Sequence, residues 1–552
     1  MRLRVTAPKG KRSMMFQLSD VPRLLPELML AVLALLVLGS DVLERWADDP
    51  TARRERGRAA AQLTSIGLGL IWLVALVQGG LAFTIAPAST AGPLDALLSL
   101  GRNLQAGGAA RDALLGAFAT DGITMMARLV LIGAALVVAL LAGDHLPDAH
   151  PAEFFTLLLL ATLGMCTMAA AQELIIAFVA LECASIALYV MAGYSARQPV
   201  ATEAGMKYVL FGVVSSAVLL YGMSLAYGVT ASIGGADGGP PRVNTSFAAI
   251  AEAVRVADAT QRGAIMLAVT LMIAGAAYKL ALVPFHSWAP DVYQGASPTV
   301  AAFLAAASKT AGVFLLMRIL TAAFPGVAGA AGSAGFTGWM ALLALLAGLT
   351  LVLGNLAALP QDVTRRLLAY SSISQAGFVA LALVPLGGAA PLRDSATVAL
   401  LYYLVVALLA SLAAFGALAA LQSAGVADRL EDLAGLRQRN PLLATVLTIA
   451  IASLAGLPPL AGFTAKFAVF VGAWEAGAAW LVVVALAMTV VALAYYLRML
   501  RPIWMQPAGE RPAVSVAPVT AVTLALAALA LIALGVLPGP LWHLAQAAVL
   551  AR

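Results

Sequence analysis

Apolar runs about 20 residues long recur from one end of this 552-residue chain to the other. That is the length an α-helix needs to cross roughly 30 Å of hydrocarbon, so each run is a candidate span. Fourteen are readable, near 22–43, 62–86, 124–143, 154–171, 173–194, 205–232, 262–284, 296–320, 337–358, 367–386, 395–422, 441–473 (interrupted), 476–500 and 514–538. Charged residues make up 11% of the chain and hydrophobic ones 62%, against about 25% charged in a soluble domain. The expectation is an all-α integral membrane protein with about 14 transmembrane helices and no water-soluble domain between them.

The longest polar stretches, 44–61, 87–122 and 233–261, read as linkers and short interfacial helices; the first mixes acids with arginine and the others are rich in Gly, Ala, Ser and Pro. A net charge of +6 does not mark a nucleic-acid binder, because the basic residues are scattered at helix ends without interleaved aromatics. Arg53, Arg54, Arg56, Arg58, Arg365, Arg366, Arg429, Arg437, Arg439 and Arg501 follow odd-numbered spans, which the positive-inside rule places in the cytoplasm. Arg2, Arg4, Lys9, Lys11 and Arg12 point the other way, so charge alone leaves the orientation open. Residues 1–13 could precede a true start at Met14 or Met15; the basic start leads into a full-length span without a small-residue cleavage site, unlike a signal peptide.

Cys166 and Cys183 both lie inside apolar runs and read as small packing residues. His145 and His150 share a loop, while His286 and His543 stand far apart, so haem or iron–sulfur ligands are not evident. Neither a phosphate-binding loop nor a dinucleotide fingerprint is present. The chain itself is expected to bind no nucleotide, cofactor or metal.

Chemistry is concentrated in a few charges placed where lipid should be. An ionisable group at mid-bilayer costs roughly 2.5–3.5 kcal/mol on insertion scales, so such groups normally face an internal cavity and serve an ion or proton path. Glu182, in QELIIAFVALECASIALYVMAGY, lies ten residues after Gln172 and eleven before Gly193, close to the middle of its span. Burial disfavours the charged form of a carboxylate and a nearby ammonium restores it, so moving a lysine switches its protonation. Lys207 sits near the start of the next span, where it either snorkels to the interface or pairs with Glu182. Lys309 is eleven or more residues from either end of its own span, too deep to snorkel, whereas Arg318 is near enough to the end to reach headgroups.

Two spans are interrupted. In YKLALVPFHSWAPDVYQG, Lys279 precedes Pro284 by five residues, and the proline removes a backbone donor and frees a carbonyl. Broken backbone is tolerated at membrane depth only beside protein or cavity water, which suits proton transfer. His286, in the same turn, can relay protons near neutral pH or cap the resumed helix. The second half repeats the device in LAGLPPLAGFTAKF, with Pro458 at the break and Lys466 after it, whereas Lys279 lies before its own. The halves align loosely, Gln172 with Gln361 and Ser185 with Ser374, then Tyr208 with Tyr403 and Ser216 with Ser411 at a slightly larger offset. Glu182 then falls on Ser371 and Lys207 on Tyr402, so the second half lacks the acid and the first lysine. Paired broken helices in two halves point to a transporter built from repeats, with its site at their interface.

EAGMKYVLFGVVSSAVLLYGMSLAYG, YKLALVPFHSWAPDVYQGASPTVAAFLAAASK, RRLLAYSSISQAGF and GLPPLAGFTAKF together make the region 120–500 resemble the antiporter-like subunits of the proton-pumping NADH:quinone oxidoreductase, complex I. The DVYQGASPTV wording favours the subunit N branch over its L and M sisters. The resemblance implies two inverted five-helix repeats, each with one discontinuous helix: 124–320 and 337–500, flanked by N-terminal helices and loops over 1–123 and a last helix within 501–552. It implies that Glu182 and Lys207 form the switching pair, that Lys279 and Lys466 are the lysines of the two broken helices, and that Lys309 bridges them. It further implies NADH, FMN, iron–sulfur clusters and quinone elsewhere in the complex, other membrane subunits and the quinone-reducing peripheral arm as partners, and a bacterial plasma membrane. Two other readings remain: a subunit of a multisubunit cation/proton antiporter with no redox partner, and a structural or assembly subunit for which several membrane-embedded charges would be costly.

Overall fold

The computed structural model describes residues 21–44, 50–83, 112–113, 116–143, 150–195, 198–233, 245–332, 335–426 and 428–551. Among them twelve helices are long and apolar enough to cross a membrane. The shorter apolar helix Leu25–Ser40 and the interrupted span that opens with Pro441–Ala455 raise the count to the fourteen read from sequence.

Three spans come first: α1 (Leu25–Glu44), α2 (Pro50–Phe83) and α3 (Gly122–Gly143). Next come α4 (Pro151–Ala170), α5 (Leu174–Ala192), α6 (Pro199–Ile233), the short α7 (Phe247–Val256), the broken pair α8 (Ala259–Leu280) and α9 (Trp288–Gly295), and the span Pro298–Ala323, here α10. They are followed by α11 (Gly338–Ala358), α12 (Thr364–Leu383), α13 (Ala390–Ser423), the broken pair α14 (Pro441–Ala455) and α15 (Ala461–Glu475), and α16 (Ala479–Met505). Helices α17 (Pro518–Val536) and α18 (Gly539–Leu550) end the chain, and a two-residue hairpin, Asp112–Ala113 with Phe118–Ala119, is the only sheet among the described residues.

Local chemistry sets the ends. A capping box between Asp258 and Gln261 starts α8, and the Asn440 side chain accepts the Leu443 amide at the start of α14, where Pro441 occupies a position that needs no donor. Both broken helices stop on left-handed residues, Ala281 (φ 57°) and Gly456 (φ 82°). The centre of the bundle is α10, whose apolar window is 100% buried, beside α12 at 94%; α6, α16 and α17, at 28–33%, lie outside. Lys309 and Ser372 therefore come from its core, where their polar groups require protein partners.

The stretch 44–61 was expected to be a linker, yet α2 is helical from Pro50. Its Arg- and Ala-rich sequence forms helix well, and hydropathy marks where a helix leaves lipid, not where it ends. Arg318 does not extend to headgroups: it is buried, with both terminal nitrogens 2.6 Å from Asp121 and its Nε donating to the Ala169 carbonyl. A second buried pair joins α3 to α1, with Arg128 meeting Glu27 at 2.7 and 2.9 Å. Breaking either pair strands a charge in apolar surroundings, so both fix helix positions even where their net stabilisation is small. Residues 1–15 and His145 lie outside the described residues.

Candidate functional site

Helix α5 turns Glu182 and Ser185, one turn apart, to the same side. Glu182 Oε1 accepts a hydrogen bond from Ser216 of α6 (2.5 Å), while Ser185 Oγ accepts one from Lys279 Nζ (2.9 Å). Lys279 occupies the last turn of α8, is 4% exposed and lies close enough to Glu182 to feel its charge. Glu182, Ser185 and Lys279 form one group.

Lys207 is not part of that group. Its ammonium lies 2.6 Å from Asp291 of α9 and 2.7 Å from Glu203 one turn back, and Asp291 also binds Arg366 of α12 at 2.6 Å. The expected Glu182–Lys207 pair is absent among the described ion pairs because of axial height. Ser216, which faces Glu182, comes nine residues after Lys207, roughly 13 Å further along the helix at 1.5 Å per residue. Lys279, held by Ser185 one turn from the acid, is the lysine on which the Glu182 charge acts, and Lys207 belongs to a half-exposed cluster that joins α6, α9 and α12 through Asp291 and Arg366.

Lys309 follows a π-helical turn, Leu304–Ser308, a deformation that re-aims side chains. Its Nζ donates to Ser372 Oγ (2.7 Å) and to the Ser372 carbonyl (2.8 Å). One turn along α12, Gln375 Nε2 donates to the Leu454 carbonyl (3.0 Å), which also accepts Lys466 Nζ (2.8 Å). Lys466 additionally reaches the Ala455 carbonyl (3.2 Å) and lies 4.4 Å from the Phe378 ring centroid. The last carbonyls of a helix have no partner within it and carry partial negative charge, so the interrupted α14 presents a built-in ammonium site. Tyr403 donates to Gln375 Oε1, and the Ser371 and Tyr496 hydroxyls lie 2.5 Å apart beside it.

Two small cavities flank this row. One of about 30 Å³ is lined by Lys309, Ser372, Gln375 and Ser411, and one of about 10 Å³ by Ser371, Ser372, Gln375 and Leu454. The larger has room for a single bridging water. A roomier, mostly apolar cavity of about 590 Å³ lies apart, between Glu173 and Phe178 of α5 and Leu220 to Tyr227 of α6.

His286 does not cap α9 with its side chain; its carbonyl accepts the Ala289 amide, and its buried Nδ1 closes no hydrogen bond among the described residues. The structure thus brings Glu182 to Lys279 and Lys309 to Lys466, and sets Lys207 apart. Ser185, Ser216, Ser372 and Gln375 were not singled out for these contacts. The usable signal was polar residues in the spans carrying the charges, but which of them meet depends on register between helices. Among the described residues no group of three or more His, Cys, Asp or Glu could hold a metal ion.

Two interrupted spans flanking a line of buried ammonium groups define a membrane protein that handles protons or small cations. The sequence model of the NADH:quinone oxidoreductase/Mrp antiporter transmembrane family matches residues 171–493, and the chain belongs to that family. It is 51% identical to NADH-quinone oxidoreductase subunit N 1 of Roseiflexus castenholzii over 96% of this chain and 98% of that one. To subunit N 2 of Herpetosiphon aurantiacus it is 44% identical over 97% and 99%. A chain of Thermus thermophilus respiratory complex I superimposes with TM-score 0.71 at 30% identity, covering 94% of this chain and 98% of that one. A chain of the Mrp complex from Dietzia superimposes at 0.73 with 20% identity, covering 95% and 97%, and shares the fold.

Proposed function

We propose that this chain is a proton-translocating membrane subunit of a bacterial plasma-membrane NADH:quinone oxidoreductase. The observation that carries the reading is the row Glu182–Ser185–Lys279 and Lys309–Ser372, then Gln375, the Leu454 carbonyl and Lys466, set at the two helix breaks and the central span. It is supported by likeness to subunit N chains over almost their whole length. In this proposal NADH, FMN, iron–sulfur clusters and quinone belong to other subunits, whose redox step displaces the charge at Glu182. Two unit charges a few ångströms apart interact by roughly 4 kcal/mol at an effective dielectric of 20. When Glu182 takes up a proton, Lys279 loses its counter-charge and releases its own; the charge arriving at Lys309 then drives release at Lys466. His286 and Lys207 lie beside the two ends of the first break, as secondary relay and as link between repeats respectively.

The test is Glu182→Gln, which keeps the side chain's size and a hydrogen-bond acceptor for Ser216 while removing the charge. In assembled complex in sealed vesicles, NADH-driven proton uptake should fall on the order of tenfold or more, since about 1.4 kcal/mol already corresponds to tenfold. Unchanged uptake would overturn the assignment. Sodium-driven proton exchange without NADH would favour the antiporter reading.

A further inference from the structure

Buried tyrosine hydroxyls in the bundle are treated in two ways. Tyr278, Tyr402, Tyr403, Tyr495 and Tyr496 all close hydrogen bonds, to backbone carbonyls or to side chains. The hydroxyls of Tyr208 and Tyr293, 1% and 0% exposed, are buried and close no hydrogen bond among the described residues. A buried hydroxyl without a partner loses its hydration and gains nothing in return, so its retention asks for a role.

Both lie on one line. Helix α5 presents Glu182, Ser185 and Tyr189 on one face, and α6 answers with Ser216, Gly212 and Tyr208 at helical spacing. Gly212 makes the approach possible, since a Cβ there would lie 2.0 Å from the Tyr189 hydroxyl. Tyr189 has Ser185 and Ser216 within reach, and its ring stands edge-on to Tyr208 at 4.8 Å. Tyr208 stacks on Trp288 (4.6 Å), Trp288 meets Tyr293 (6.1 Å), and Lys309 Nζ lies 5.8 Å from the Tyr293 ring centroid. The Tyr208 hydroxyl faces Ser308, the residue before Lys309, and the Tyr293 hydroxyl faces Ser372, the partner of Lys309, without closing either bond. The Lys279 and Lys309 ammonium groups share no hydrogen-bond partner among the described residues.

We propose that the Tyr208 and Tyr293 hydroxyls form a relay that carries a proton between the Glu182 group and Lys309. A phenol hydroxyl both accepts and donates, so each link takes a proton on its oxygen and passes its own onward. The net step moves one proton from the Lys279 ammonium, through Ser185 and Tyr189 into the two phenols, to the neutral Lys309 amine, leaving an amine and an ammonium with every hydroxyl regenerated. Rotation of the hydroxyls resets the chain. The relay rests on the proton-translocation reading and supplies the link its lysines lack.

The experiment uses Tyr208→Phe, Tyr293→Phe and their combination in the assembled complex, with Tyr278→Phe as the ring-packing control. Each relay variant should slow NADH-driven proton uptake on the order of tenfold. The double variant should be no slower than the worse single, because links in series are not additive. Tyr278→Phe should stay within about twofold. If the hydroxyls serve packing alone, removing them leaves transport intact and the fold as stable or more so, and the proposal is overturned. It is also overturned if Tyr278→Phe slows uptake as much as the other two. Should Tyr208→Phe fail to assemble, Tyr293→Phe decides alone. A wild-type rate in these variants while Glu182→Gln is inactive rejects only the relay; an active Glu182→Gln rejects the reading beneath it.

Discussion

At the first break Lys279 belongs to the last turn of the incoming half-helix and donates sideways, to Ser185 of another span. At the second, Lys466 belongs to the outgoing half-helix and donates back across the break to the Leu454 and Ala455 carbonyls that end the incoming half. A serine hydroxyl rotates and the neighbouring Glu182 changes charge, so the first lysine has partners that can be switched. Backbone carbonyls can be neither protonated nor turned without moving the helix, so the second lysine has a fixed seat. The loss of the acid in the second half, Ser371 standing where Glu182 does in the first, follows the same division. In the proposed mechanism the first half senses a charge change, and the second receives the proton.

The most damaging way to test the fixed seat is Gly462→Ala. A Cβ at Gly462 would lie 1.7 Å from the Ser453 carbonyl oxygen, and at Gly535 of α17 one would lie 2.1 Å from the Pro459 carbonyl. These are backbone atoms, so the break itself must shift, at a cost of about 3 kcal/mol or more. Little folded subunit should be extractable from membranes, and what remains should unfold at lower temperature. At the first break the Val283 amide instead finds a side chain, Thr350 Oγ1, at 3.0 Å. Normal yield and stability of Gly462→Ala would remove the claimed rigidity of the second break.

A pair of mutant cycles sharpens the comparison. Glu182→Gln and Lys279→Met should each reduce coupled proton uptake roughly tenfold, and the double variant by little more, because neighbouring charges in one group are coupled. Ser371→Ala and Lys466→Met should couple more weakly, since Ser371 reaches the lysine only through Tyr496, Gln375 and the Leu454 carbonyl. Rates in sealed vesicles check both cycles, and additivity in the first would sever Glu182 from Lys279.

Fourteen spans, both breaks and the buried lysines were legible in the sequence, because each is a property of one segment: an apolar length, a proline, a charge inside it. Which groups meet was not. Glu27 and Arg128 each stand inside an apolar run, but 101 positions apart, and nothing local states that α1 and α3 touch there. Glu182 and Lys207 looked adjacent because their spans are consecutive. Antiparallel neighbours, however, match by axial height, and height places Ser216 and not Lys207 opposite the acid. Gln375 was visible as a polar residue in RRLLAYSSISQAGF, yet its link to Lys466 runs through a main-chain carbonyl that no side-chain pattern reveals.

The smallest expected effect separates the two uses of lysine in the first half. Lys207→Gln removes a cation whose side chain is 37% exposed, with Glu203 exposed and Asp291 partly so. Asp291 keeps Arg366 at 2.6 Å, so no charge is left buried and alone. Exposed pairs contribute little, and coupled proton uptake should change by no more than about twofold. A tenfold loss with normal assembly would mean that Lys207 leaves Asp291 during turnover and travels the height of two helical turns to Glu182. That result would give the first half two lysines competing for one acid, where the geometry seats Lys279 on Ser185 beside the acid and Lys207 on Asp291.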